Sequence, residues 1–251
     1  MVVIGAGRIG AALALRAAAR DVPITLVGRD GIAAGLAGPE GDPVLVAVRT
    51  DDLRALADTI PAHRRSDLVF VQNGAIRDLL SELALSQATR GVLYVMAARR
   101  GDDLAPGGRS LFTGVHALAV VRWLGALDVP AEAVDRARFS VYELEKLLWL
   151  AIHGVLCELH QAPVGVVAAE HRDEIAALVV ELGRIGQAAW GVDVEPGWMV
   201  ERLVAYSRSI PDYRASVKEW PWRNGWLVDR SIDYGIPTPI HDRLLAQLGH
   251  R

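Results

Sequence analysis

The chain has 251 residues, a formal net charge of −3, and 51% hydrophobic and 23% charged residues. That length holds one large domain or two small ones, and the apolar content excludes a disordered chain; the slightly acidic balance gives no electrostatic handle for DNA or RNA. One cysteine, Cys157, excludes an intrachain disulfide and a cysteine-rich zinc site, so no metal is expected and a reducing, cytoplasmic setting is.

The strand-like "MVVI" opens the sequence, and no secretory signal is expected. "GAGRIG" follows, then an alanine-rich helical pattern, then a second strand, "PITLVGR". This order predicts a right-handed parallel unit. Further strands are expected at "PVLVAV", "DLVFVQ" and "GVLYVMA", alternating with helices over 51–60 and 75–87 and followed by a helix over 116–126. The alternation argues for a doubly wound parallel sheet. After residue 136 the pattern turns helical, with helices over 141–160, 168–190, 196–208, 225–234 and 239–249. The chain therefore reads as α/β: an N-terminal Rossmann-type domain over 1–136 and an all-helical domain over 137–251. The longest apolar runs fall short of the roughly 18 residues that span a bilayer, so no membrane partner is expected.

Gly5, Gly7 and Gly10 fill the G-x-G-x-x-G pattern between a strand and a helix, with Ala6, Arg8 and Ile9 between them. The first glycine makes the turn, the second lets backbone approach a pyrophosphate, and the third lets helix and strand pack closely. Free N–H groups at the helix N-terminus then hold the phosphates. At the end of the second strand, "LVGRD" puts Arg29 where an NAD-binding chain carries an acid. An arginine there grips a 2′-phosphate, which points to NADP(H), with Arg49 within reach of the same phosphate. Asp30 is the competing residue.

Two features remain. "QNG" at 72–74 puts Asn73 at the carboxyl end of a strand, the edge where ligands bind in such sheets. Lys146 lies on the apolar helix "VYELEKLLWLAIHGVLCELH". Of 27 basic residues only it and Lys218 are lysines. An ammonium can give up a proton at accessible pH and a guanidinium cannot.

This set resembles the ketopantoate reductase family. The resemblance runs over most of the chain and rests on "GAGRIG", Arg29, Arg49 (often lysine in the family), "QNG", Lys146, "DLAPGG" at 103–108 and the ending "NGWLVDRSIDYGIPTPIHDRLL". It implies NADPH-dependent reduction of 2-dehydropantoate, a step of pantothenate biosynthesis, with a small-molecule carbonyl substrate, and leaves room for a homodimer. By the same resemblance Lys146 is the catalytic lysine, Asn73 lies near nicotinamide and substrate, and Glu219 contacts the substrate. A second alignment places Ser216 on the family's substrate serine; under the first that serine falls near Ser207 or Ser209.

Three departures stand out. The family carries asparagines four and eight residues after the lysine, where this chain has Leu150 and Gly154; His153 is the expected replacement contact. The segment after Arg29 is short, so a family element is trimmed there. "EWPWRNGW", with Trp220, Trp222 and Trp226, is bulkier than the family pattern. His160 and His171 are expected to serve helix ends. The expected chemistry is hydride transfer to a carbonyl carbon in a cleft between the two halves, with Lys146 as proton donor, its pKa lowered by burial. Reduction of a less polar ketone, and an NADPH-binding sensor without turnover, remain as alternatives.

Overall fold

The computed structural model describes residues 1–97 and 99–250. The chain divides into two units, Met1–Phe139 and Ser140–Arg251.

In the first unit, β1 (Val2–Ile4), β2 (Thr25–Val27), β3 (Val44–Val46), β4 (Leu68–Phe70) and β5 (Thr89–Val92) alternate with α1 (Arg8–Ala18), α2 (Ile32–Gly35), α3 (Leu53–Thr59) and α4 (Arg77–Glu82). The hairpin β6 (Val95–Met96)–β7 (Ala105–Pro106) follows, then β8 (Ser110–Thr113), α5 (Ala117–Ala126) and β9 (Ala131–Ala133). Seven strands form one sheet in the order β2-β1-β3-β4-β5-β8-β9. The first five are parallel, and β8 runs antiparallel to β5 with β9 parallel to β8. The expected parallel sheet is thus present, with two reversed strands added at one edge.

Strand periodicity divides the core. Val3, Leu45 and Val69 are in register and pack with Ala12, Leu13 and Ala17 of α1 and Val120 and Leu124 of α5. Val44, Val46, Leu68 and Phe70 point to the other face and are equally buried, so both faces are covered.

The expected strand over 91–97 breaks after Val92. Tyr94 donates its N–H to Ser110 Oγ at 3.0 Å and accepts from Gly107 N at 2.7 Å, which takes it out of the main sheet. Neither β8 nor β9 is anticipated above; β9, Ala131-Glu132-Ala133, has no β-branched residue to announce it. Beyond β2 no further strand pairs among the described residues. The trimmed segment is held instead by a buried arginine: Arg64 donates to the carbonyls of Leu36 (2.9 Å), Gly38 (2.8 Å) and Asp42 (3.1 Å), and pairs with Asp67 at 2.6 Å.

Helix α6 (Arg136–His160) begins five residues before its expected start, and the division between units falls within it. It is followed by α7 (Val164–Glu170), α8 (Arg172–Trp190), α9 (Pro196–Ser209), α10 (Asn224–Asp233) and α11 (Pro239–Gln247). The helix expected over 168–190 is two helices. His171 leaves helical geometry (φ −120°, ψ 32°), ends α7 and starts α8. Two polar side chains fix the ending of the chain. Glu181 of α8 accepts from Ile240 N (3.0 Å) and His241 N (2.8 Å), capping α11. Asn224 Nδ2 lies 3.2 Å from Ala151 O and 3.0 Å from His241 Nε2, tying α10 to α6 and α11. No single helix among the described residues is long and apolar enough to cross a membrane.

Candidate active site

The glycine turn sits at the carboxyl end of β1, which lies between β2 and β3 where the strand order reverses. Each glycine meets a different demand. Gly5 has φ +114°, and a Cβ there would lie 2.7 Å from Ala47 O. A Cβ on Gly10 would lie 1.9 Å from Gly5 O, so only glycine lets α1 start this close to the turn. At Gly7 a Cβ would meet nothing within 4 Å. Gly7 caps α1 without a side-chain hydrogen bond, the first turn carries no acid, and Gly7 and Arg8 are exposed. Open N–H groups, a positive dipole end and an unobstructed approach fit a pyrophosphate.

Around this turn, Gln72 donates from Nε2 to the carbonyls of Val46 (2.9 Å) and Val48 (3.1 Å), pinning the ends of β3 and β4 together. Next to it Asn73 is exposed, with Gly74 at φ +96° turning the chain into the loop before α4. Arg49, at the end of β3, is exposed and pairs with Asp51 at 2.7 Å. Arg29 opens a short 3-10 turn after β2, with Asp30 exposed beside it. The side chain of Arg29 lies outside the described part of the structure.

In the second unit Lys146 lies on α6 and is 7% exposed. Its Nζ donates to Tyr206 Oη at 2.9 Å and stands 5.2 Å from the Trp149 ring centroid. Burial, helped by the nearby positive charge of Arg223 and opposed by Glu145, lowers the Lys146 pKa to about 7. Glu145 is buried and held by Arg202 at 2.9 and 3.2 Å. Arg223 is buried and ion-paired with Glu219, while its Nε has no hydrogen-bond partner among the described residues. Glu219 itself adopts the left-handed conformation (φ 49°) just before a 3-10 turn. Arg223 is thus paired with Glu219 and near enough for its charge to act on Lys146.

His153 is fully buried. Its Nδ1 lies 3.1 Å from Trp149 O and its Nε2 2.9 Å from Ser207 Oγ, which in turn accepts from Trp149 Nε1 at 2.9 Å. Burial lowers the His153 pKa to about 4, so the ring is neutral. A carbonyl can only accept, so Nδ1 carries the ring proton, and the one Ser207 hydroxyl proton is shared between His153 Nε2 and Leu203 O, both at 2.9 Å. Nδ1 meets the Trp149 carbonyl and Nε2 the Ser207 hydroxyl that also takes the Trp149 indole N–H, so both ring nitrogens have partners in the packing around Trp149. Ser209 is exposed and donates to Tyr206 O at 2.7 Å. At Ser216 it is the backbone that matters: a Cβ on Gly154 would lie 3.0 Å from Ser216 O. The 216–217 backbone lies against α6 where the expected pattern has an asparagine. Trp226 is buried against Trp190 at 5.1 Å, which makes it a packing anchor. Tyr206 and Trp149 were not singled out by sequence reasoning. Tyr206 is 60 positions from Lys146, beyond any local signal.

No protein-family model matches the chain, and no curated protein matches it by sequence. Solved structures do. Ketopantoate reductase from Staphylococcus aureus, described as dimeric, aligns at 18% identity over 98% of this chain and 96% of that one, TM-score 0.69. The 2-dehydropantoate 2-reductase of Geobacter metallireducens GS-15 aligns at 17% identity over 99% and 100%, TM-score 0.73. The chain has the ketopantoate reductase fold. A D-mandelate dehydrogenase, solved with NADH and anilino(oxo)acetate, shares this fold at 13% identity over 97% and 96%, TM-score 0.73. The ketopantoate reductase fold therefore carries more than one substrate, and function has to be argued from this chain's own side chains.

Proposed function

We propose that the protein is an NADPH-dependent reductase of a small 2-keto acid. The observation that carries this reading is Lys146: an almost fully buried lysine with a pKa near 7, held by a tyrosine and walled by a tryptophan. A group with that pKa is charged often enough to give a proton and acidic enough to give it readily at neutral pH.

Gly5, Gly7 and Gly10 and the first turn of α1 would hold the pyrophosphate, and Arg29 and Arg49 a 2′-phosphate. A bound dihydronicotinamide supplies the hydride to the carbonyl carbon. Lys146 Nζ donates its proton to the carbonyl oxygen, giving the 2-hydroxy acid and a neutral amine. Its positive charge also stabilises the oxyanion as it develops. Tyr206 holds Nζ in place, and burial, helped by the Arg223 charge, keeps its pKa low. Asn73 is free of packing constraints and suited to hydrogen-bond the substrate or nicotinamide. The substrate hydroxyl falls to Glu219.

NADPH is expected to be preferred over NADH. Replacing Arg29 or Arg49 by alanine should cost NADPH affinity about 10- to 100-fold each and leave NADH affinity unchanged, the worth of one charge-assisted contact. Equal loss for both cofactors would reject the assignment.

A second reading of substrate, a less polar ketone, is favoured by Leu150 and by the Ser216 backbone against Gly154. Both remove polar contacts that a hydroxylated acid such as 2-dehydropantoate would use. NADPH oxidation measured across 2-dehydropantoate, other 2-keto acids and uncharged ketones separates the two. Fastest turnover of a 2-keto acid supports the primary reading; fastest turnover of an uncharged ketone supports the second; cofactor binding without any turnover rejects both and favours a sensor.

A further inference from the structure

His160, His171 and Glu174 come from three places: the last residue of α6, the junction of α7 and α8, and the first turn of α8. One nitrogen from each imidazole and one carboxylate oxygen all lie within 4.8 Å of one another. His160 Nε2 is 2.9 Å and His171 Nδ1 2.8 Å from the same atom, Glu174 Oε1. The rings stack at 3.5 Å between centroids with 14° between planes. Two histidines serving helix ends separately have no reason to aim nitrogens at one oxygen.

We propose that this trio is a binding site for a divalent transition-metal ion of the zinc type. Two imidazoles and one carboxylate suit Zn²⁺ and its borderline neighbours, whereas Mg²⁺ and Ca²⁺ require oxygen-rich sets. Three protein ligands leave a fourth position for water. The side chains are 23%, 25% and 37% exposed, which admits both ion and water and gives the rings solvent into which to splay. On binding, the two N–H donations to the carboxylate give way to two nitrogen–metal bonds: each neutral imidazole changes tautomer through solvent, its single proton moving from the coordinating nitrogen to the other ring nitrogen. The site would clamp the end of α6 to the start of α8. It lies about 21 Å along α6 from Lys146, so its role is structural and separate from the proposed reaction.

The test is titration of the chelator-stripped full chain with Zn²⁺, followed by calorimetry and thermal unfolding. The expected result is one Zn²⁺ per chain and a Tm raised by several degrees, with no response to Mg²⁺. His171→Ala and His160→Gln should weaken binding by at least about tenfold, since even partners behind the ligands cost that much. Glu174→Gln keeps an oxygen acceptor for the rings and removes the charge, so its weaker binding in a chain of unchanged unfolding temperature separates coordination from misfolding. His250→Ala, at the unrelated His250–Glu158 pair, should bind as wild type. No Zn²⁺ binding by the wild type, or equal affinity in the three ligand variants, would overturn the site.

Discussion

Lys146 illustrates how burial turns an ordinary residue into an acid. In water its ammonium would hold its proton far above neutrality; among Tyr206, Trp149 and the Arg223 charge it titrates near 7. Carbonyl reduction needs the protonated form, so the rate should be level below pH 7 and fall as pH rises through it. Arg223→Met removes a cation that lowers this pKa and leaves Glu219 negative nearby, so the fall should move to higher pH. An unchanged profile in that variant would remove Arg223 from the account. The glycines give a second test. Gly7→Ala adds a methyl into open space at an unstrained φ, so stability should hold while nucleotide affinity drops at least about tenfold, because backbone must approach the pyrophosphate there. Gly10→Ala should instead destabilise the unit itself, because its methyl would collide with Gly5 O. Both residues are legible in the sequence because a turn between strand and helix is a local event. His153 was not, since helical spacing places it on the lysine's face yet says nothing of Ser207, which takes its nitrogen.

At the scale of elements, the short segment between β2 and β3 shows what holds a loop with little regular structure of its own. Arg64 satisfies three carbonyls and one carboxylate in a site where it is 1% exposed. Arg64→Met would leave Asp67 charged and the carbonyls dry, and should destabilise the protein by about 3–5 kcal/mol in chemical denaturation. A loss below about 1 kcal/mol would mean that water replaces the guanidinium. Shortness and glycine content mark this segment in the sequence; the arginine that holds it sits in "AHRRSD", indistinguishable from a solvated loop. Strands β1 to β4 and most helices were readable from β-branched runs and apolar periodicity. The pair β8 and β9 was not, since the Ala-Glu-Ala of β9 carries no β-branched residue, and the break at His171 was hidden because α7 and α8 continue one apolar pattern.

For the whole molecule, fold and chemistry rest on different evidence. Seven strands in this order and a helical second unit give the ketopantoate reductase fold; the alternation of elements announces the parallel sheet, and the motif resemblance implies the rest. The wall beside Gly154 was less legible, because it is formed by the Ser216 backbone, a contact between residues some 60 positions apart. The central claim, that Lys146 is the proton donor of an NADPH-dependent reduction, is tested most directly by single-turnover reduction with Lys146→Ala beside wild type at pH 7. The account predicts unchanged NADPH binding and a hydride-transfer rate lowered by about 10²–10⁴-fold, the worth of a general acid. An unchanged rate with NADPH bound would contradict it.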